Sequence, residues 1–438
     1  MDCQFICTSL RSNQMRVLFT LCCLMVAPVF AQTPTEPAKS ASPTPPTWVP
    51  VLNRALGLPL FSDSTLWDDA PAELAKRLKI PPESITPGAE TWRRYLRPPS
   101  TLLGAPAYML SLRSETGRIE SFSILFTNQG DHPAFAERDL GGGGSGFVSP
   151  SALKAFDAEL LRDFKSIRQT LLTALPDSER EPTPAQRRAA PGQLALYVLG
   201  EHQLLLHARP GNLLALRIQP TERAAPPRLS DDQLRRRWKE QITRRSNGDV
   251  ILDRIPMVDQ GPKGYCVPAA FERLLRYAGM PADLYDLAAL GGTAPGGGTN
   301  VTQMMENLER TVRQAGRRLE AIKIKPAPAT LARYLDEGRP LLWSLSSTAD
   351  FSKLADAYSR ERPAALTELT PWATARRQLG AKLPLDPSAA HLCLLIGYNR
   401  ATGELAFSDS WGPGFAERWL PAAAVQAVST GDFWVLNF

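Results

Sequence analysis

The stretch VDQGPKGYCVPAAFERLLRYAG, residues 258–279, changes character at its middle. Gly261, Pro262 and Gly264 deny it regular structure up to Cys266. Beyond that point Ala270, Phe271, Leu274, Leu275 and Ala278 recur at helical spacing, and Gly279 closes the helix. Pro268 falls in the first turn, where a missing N–H leaves no bond unmade. Cys266 therefore opens a helix, and the positive end of the helix dipole favours its thiolate over its thiol. Free cysteines are commonly buried and inert, but such a residue needs no glycine-flanked turn at a helix start.

Four apolar runs bounded by Gly, Asn or Pro read as strands further on: GRPLLWSLSS (338–347), HLCLLIGYN (391–399), GELAFSDSWG (403–412) and GDFWVLNF (431–438). His391 opens the second and Asp409 ends the third, eighteen residues later. Antiparallel strands joined by the turn NRATG set the two side by side. A carboxylate beside an imidazole fixes its tautomer and supports the imidazolium formed when the ring takes a thiol proton. Taken singly, His391 reads as a satisfied strand histidine and Asp409 as a turn residue; with Cys266 they make a set.

QGPKGYC resembles the Gln-Gly-x-x-x-x-Cys segment of papain-like cysteine peptidases, with Gln260 six residues before Cys266. HLCLLIGYN is similar to their His-bearing strand, and DSWG to their Asn-Ser-Trp-Gly. CVPAA, with Asp rather than Asn at 409, resembles the free-standing relatives of the double-glycine leader peptidases of bacteriocin exporters. The resemblance runs over about residues 255–438 and implies an α+β fold: a helix bearing Cys266 packed on an antiparallel sheet bearing His391 and Asp409. It further implies that Cys266 attacks an acyl carbon as thiolate, that His391 is its base and then the acid for the leaving amine, and that Asp409 orients His391. The Gln260 side chain and the Cys266 N–H would form the oxyanion hole, and Trp411 would shield the His–Asp pair from water. No cofactor and no metal are implied; the substrate would be a peptide or protein.

This chain departs from that pattern. Val267 stands where papain relatives carry Trp, and Lys263 where they carry a disulfide cysteine. Cys393 shares a strand face with His391 and reads as a small apolar filler; pairing with Cys266 is the other reading. GGTAPGGGTN (291–300), with Gly296, Gly297 and Gly298 ahead of a helix at 302–315, resembles the glycine wall along which substrate backbone runs in this fold; a plain loop is the equal alternative. Residues 348–388 form a mostly helical insertion that either roofs the cleft or pads the surface.

The remainder is organised around this unit, taken as residues 249–438. MRVLFTLCCLMVAPVFAQ (15–32) reads as a secretory signal cleaved after Ala31, which predicts a secreted or periplasmic protein, with an apolar run shorter than the roughly 20 residues a membrane span requires. Removing 1–31 takes four of the six cysteines and leaves Cys266 and Cys393. Residues 32–47 are a Pro/Thr/Ser tether. Residues 48–220 read as a separate α+β unit: helices at 65–78 and 151–174, a hairpin at 107–127 about SETGR, and a second hairpin, 193–199 with 203–218, about RPGN. GGGGSG (141–146) lacks the Lys-Ser/Thr of a phosphate loop. His132 has no partner apparent in sequence, and His202 and His207 face opposite sides of a strand. Residues 221–248 read as a solvated charged linker helix opened by Ser230. With 50 Lys+Arg against 44 Asp+Glu and no basic block interleaved with aromatics, a nucleic-acid partner is excluded; 39 prolines exclude a long coiled coil.

Three functions fit: an exported cysteine hydrolase of peptide or related amide bonds, an inactive papain-like module that binds peptide or cell-wall fragments, and an acyltransferase using the same thioester. For residues 48–220 a cleft-occluding prodomain and a substrate- or wall-binding domain both stand.

Overall fold

The apolar alternation on either side of SETGR builds a hairpin, β3 (Ala105–Glu115) with β4 (Arg118–Asn128), turning at Thr116 and Gly117 with φ of 51° and 78°. Positive φ at both loop positions is the twist a two-residue hairpin requires. The computed structural model describes residues 46–86, 88–130, 132, 150–222, 229–261, 264–293 and 298–438; the stretch expected to be a signal, nearly all of the expected tether, Pro262, Lys263, Gly296, Gly297 and GGGGSG lie outside them. Among the described residues β1 (Pro82–Thr86), β2 (Ala89–Leu102), β5 (Glu179–Arg180), β6 (Gln193–Leu199), β7 (His202–Arg209) and β8 (Leu213–Pro220) complete a fully antiparallel sheet in the order β1-β2-β3-β4-β8-β7-β6-β5.

Side-chain alternation gives this sheet two apolar faces. Leu214, Leu216 and Ile218 of β8 join Phe156, Leu160, Phe164, Ile167 and Leu171 of the helix α3 (Pro150–Ala174), together with α1 (Trp48–Leu56) and α2 (Pro71–Arg77). Their neighbours Leu213, Leu125 and Met109 face the other way, onto Val258, Tyr265, Leu284 and Tyr285 of the second half. Each large side chain contributes about 1.5–3 kcal/mol when fully buried, so seven of them bind the two halves firmly. Both halves belong to one compact unit.

Three expectations need correction here. The helix expected over 65–78 starts only at Pro71, because a residue before proline is pushed out of the α region, and Ala70 is extended. RPGN joins β7 to β8 in a three-stranded meander, with a separate turn at Gly200 joining β6 to β7. The linker helix is short, α4 (Asp231–Glu240), capped by Ser230 and Gln233, and it is not a solvated spacer. Leu234 and Trp238, one turn apart, are buried in the core of the second half, and Ile242–Arg244 is already a strand there, β9.

The second sheet, also antiparallel, runs β11 (Arg318–Ile322), β16 (Ser429–Asn437), β12 (Leu341–Ser346), β13 (Ala390–Asn399), β10 (Asp249–Leu252), β9; β14 (Glu404–Ser408) pairs the other edge of β13, and β15 (Arg418–Pro421) pairs β14. The helix α5 (Cys266–Tyr277) packs on β13. It is buried on nearly every side, since the second sheet takes Phe271 and Leu274 while the interface between the halves takes Ala269. Helices α6 (Leu284–Leu290) and α7 (Val301–Gln314) follow. No helix among the described residues is long and apolar enough to cross a membrane.

The insertion at 348–388 carries α8 (Ala349–Glu361) and α9 (Leu366–Ala375). Just after α8, Arg362 forks onto Asp249 (2.6 and 2.9 Å) and onto Glu404 (2.9 and 3.0 Å), with all three side chains buried and the Trp419 ring beneath its guanidinium at 4.0 Å. Replacing Arg362 by Met leaves two buried carboxylates without their cation; urea unfolding is expected to register a loss of about 3–5 kcal/mol.

Candidate active site

Cys266 is the first residue of α5, His391 the second of β13, and Asp409 directly follows β14. The register of β13 with β14, from Asn399 opposite Glu404 to Leu394 opposite Ser408, brings the ends of the two strands together. His391 Nε2 lies 2.7 Å from Asp409 Oδ1. The same ring lies close enough to the Cys266 thiol for each to shift the other. With Nε2 turned to the carboxylate, Nδ1 is the nitrogen left for sulfur.

Burial alone would raise the Cys266 thiol, but the hydrogen bond and charge of His391, helped by backbone N–H groups of Leu392 and Val267, bring it below its ordinary value. Burial likewise disfavours the charged imidazole, yet the bonds to Asp409 and Cys266 push His391 up to about 10. Burial works against the Asp409 carboxylate too, and His391 and Arg418 outweigh it, holding it below the usual range. The Cys266 and His391 shifts both run towards a thiolate–imidazolium pair, and the Asp409 carboxylate braces it.

Trp411 stacks on His391 with ring centroids 4.9 Å apart, and Phe415 meets Trp411 edge-on at 5.4 Å. Gln260 is buried, and its N–H donates to the Ser410 carbonyl at 2.9 Å, which brings it beside the Asp409–Trp411 turn. Gly298, at φ 68°, has its Cα 3.9 Å from where a Cβ on Gly264 would stand, so it lies alongside the turn before Cys266; Gly296 and Gly297 fall outside the described residues. The His391 ring thus stands by both Asp409 and Cys266, and the main chain of Gln260 is tied to the turn that follows Asp409.

The family model described as Peptidase_C39 like family matches residues 252–430. This segment is a C39-peptidase-like domain. The chain is similar to the peptidase domain of Streptococcus ComA, a bi-functional ABC transporter involved in a quorum sensing pathway, at 16% identity over 41% of this chain and 96% of that one, with a TM-score of 0.27. It is also similar to a double glycine motif protease from an AMS/PCAT transporter, solved in complex with the leader peptide, at 14% identity over 42% and 92%, with a TM-score of 0.26. No curated protein matches the chain.

Two arginines of the C39-like domain that sequence reading passed over hold the site together. Arg418, on β15, donates to Asp409 Oδ2 at 2.6 Å and to the Ser352 carbonyl at 2.9 Å, and pairs with Asp356 of α8 at 2.9 Å. The carboxylate is thereby gripped from both sides, and the insertion supplies the outer anchor. Arg273, two turns along α5 from Cys266, donates to the carbonyls of Pro256 (2.9 Å) and Ser408 (3.1 Å) and bonds the hydroxyls of Ser408 and Ser410. It ties the cysteine helix to the aspartate turn. A buried carboxylate that must keep its charge needs a cation besides a histidine, and that requirement was the one available signal for Arg418.

Cys266 and Cys393 are both free thiols, and burial holds the Cys393 thiol well above its ordinary value, in keeping with an apolar filler. His202 is buried, accepts the Leu66 N–H at 3.0 Å and stacks on Trp67. His132 does have a partner, Glu159 at 3.3 Å, which α3 brings in from a distance no local reading reaches.

Proposed function

We propose that this protein is an exported cysteine peptidase that cleaves a peptide or related amide bond through an acyl-thioester on Cys266. The observation that carries this reading is the His391 ring held between the Cys266 thiol and the Asp409 carboxylate, with the thiol lowered and the imidazole raised. An inactive binding module needs no such pair. The thiolate attacks the scissile carbonyl carbon; a C–S bond forms and the carbonyl electron pair moves to oxygen, where the Gln260 side chain and the Cys266 N–H stabilise it. As the C–N bond breaks, His391 gives its proton to the leaving amine. Water then attacks the thioester, His391 takes the proton, and the acid departs with Cys266 restored. Residues 1–31 direct export to the periplasm or beyond, and Gly298 borders the path of the substrate backbone.

Cys266 should take up a thiol-directed epoxide in the wild-type chain and in Cys393→Ala, and the label should vanish in Cys266→Ala. Equal labelling of both cysteines would sink the proposal. Because the sequence around Cys266 resembles the double-glycine leader peptidases, peptides with an internal Gly-Gly are the first substrates to try; product analysis with added amine separates hydrolysis from acyl transfer.

A further inference from the structure

The loop that carries Gln260 is held by residues outside the C39-like segment. Ser84 Oγ on β1 accepts the Met257 N–H at 3.0 Å, and Glu83 Oε1 accepts the Asp259 N–H at 2.8 Å. The Tyr95 hydroxyl on β2 donates to the Asp259 carbonyl at 2.6 Å. Buried Arg93 pins Glu83 in turn, at 2.7 Å. The Tyr95 ring also lies flat against the chain at Gly261: a Cβ there would come within 3.0 Å of the ring, and φ is 68°. Five residues after Gln260, the Tyr265 hydroxyl donates to Asn128 Oδ1 at 3.0 Å and accepts the Gly130 N–H at 3.1 Å.

Both ends of the segment 257–265 are therefore bonded to the first sheet, while Gln260 in its middle is bonded to Ser410. On the 257–259 side every bond goes to main-chain groups, so what β1 and β2 fix is the path of the chain itself. We propose that Ser84, Glu83 and Tyr95 are positioning residues that place Gln260 against the oxyanion formed at Cys266, making the N-terminal sheet a working part of the peptidase. This rests on the peptidase reading above and deepens it. It also reverses the sign expected of a cleft-occluding prodomain: loosening the contact lowers the rate.

Two reagents separate the effect from collapse of the site. With p-nitrophenyl acetate the Cys266 thiolate attacks a carbonyl carbon, the C–S bond forms, an oxyanion develops, and the C–O bond breaks to release p-nitrophenolate with its electron pair. With iodoacetamide the same sulfur displaces iodide at a saturated carbon, and no oxyanion arises. In the full chain, with modification of Cys266 read by mass, Gln260→Ala should slow acetylation about 100-fold, and Tyr95→Phe and Ser84→Ala each about tenfold, while alkylation changes less than about twofold. In a Gln260→Ala background Tyr95→Phe should add no further loss. Acetylation that is unchanged or faster in both Tyr95→Phe and Ser84→Ala, or acetylation and alkylation falling together, would overturn the inference. A wild-type Cys266 inert to both reagents would overturn the peptidase reading, and this inference with it.

Discussion

His391→Ala is expected to lower kcat/KM for peptide hydrolysis about 10,000-fold, because in the proposed mechanism one ring serves as ion-pair partner, base and acid, and such groups act as a unit. Without the ring, burial is left to raise the thiol, so the pH at which Cys266 alkylates moves upward as well. In the wild type the two shifts run in opposite directions and define a window. On the acid side the Cys266 thiol sits below its ordinary value, so iodoacetamide reactivity persists below the pH at which a free cysteine loses it. On the alkaline side the imidazole holds its proton up to about 10. Above that the sulfur is still thiolate and alkylation continues, but the leaving amine has no acid, and hydrolysis falls. Hydrolysis is thus expected to be bell-shaped with its upper limb near 10, and alkylation to be a plateau. Pre-steady-state alkylation and steady-state hydrolysis across pH check this. Identical alkylation profiles for wild type and His391→Ala would show that the imidazole does not set the thiol.

Much of this site could be read from the sequence because its placement depends on local rules. A glycine-broken turn followed by helical periodicity puts Cys266 at a helix start, and a five-residue turn between two apolar runs puts His391 beside Asp409. What sequence could not supply came from burial by distant elements. Glu272 and Arg273 look like the solvent side of a helix, but α5 is enclosed by two layers, and both are buried: Glu272 meets Arg113 at 2.6 Å, and Arg273 bonds the aspartate turn. Trp238 sits in a segment so charged that it reads as a linker, though its one apolar stripe is core. Tyr95, Glu83 and Ser84 bond the Gln260 loop from a half to which the resemblance does not extend. Arg418 is the sharpest case, since its role exists only because Asp409 is buried.

That dependence makes Asp409→Asn a harsher change here than its resemblance to an Asn-bearing family suggests. The wild-type carboxylate accepts from two donors at once, His391 through Oδ1 and Arg418 through Oδ2. An amide has one acceptor oxygen. Turned to His391, it points its NH2 group at the Arg418 guanidinium and leaves that buried cation with only the half-exposed Asp356 as counter-ion, a loss towards the lower end of the about 3–5 kcal/mol that breaking a buried pair costs. Turned to Arg418, it presents the NH2 group to the imidazole and selects the wrong tautomer, a fault that lowers turnover about 10,000-fold where a serine peptidase carries it. Asp409→Asn should therefore lose both stability and activity. Adding Arg418→Met removes the buried cation and frees the amide oxygen for His391, while Asp356, half exposed, stays solvated. The double variant should regain about 2 kcal/mol in urea unfolding and about tenfold in kcat over Asp409→Asn alone, a coupling of the size seen for residues in direct contact. Additive losses in that cycle would mean that Arg418 merely packs beside the aspartate, and the carboxylate would then be held for His391 alone.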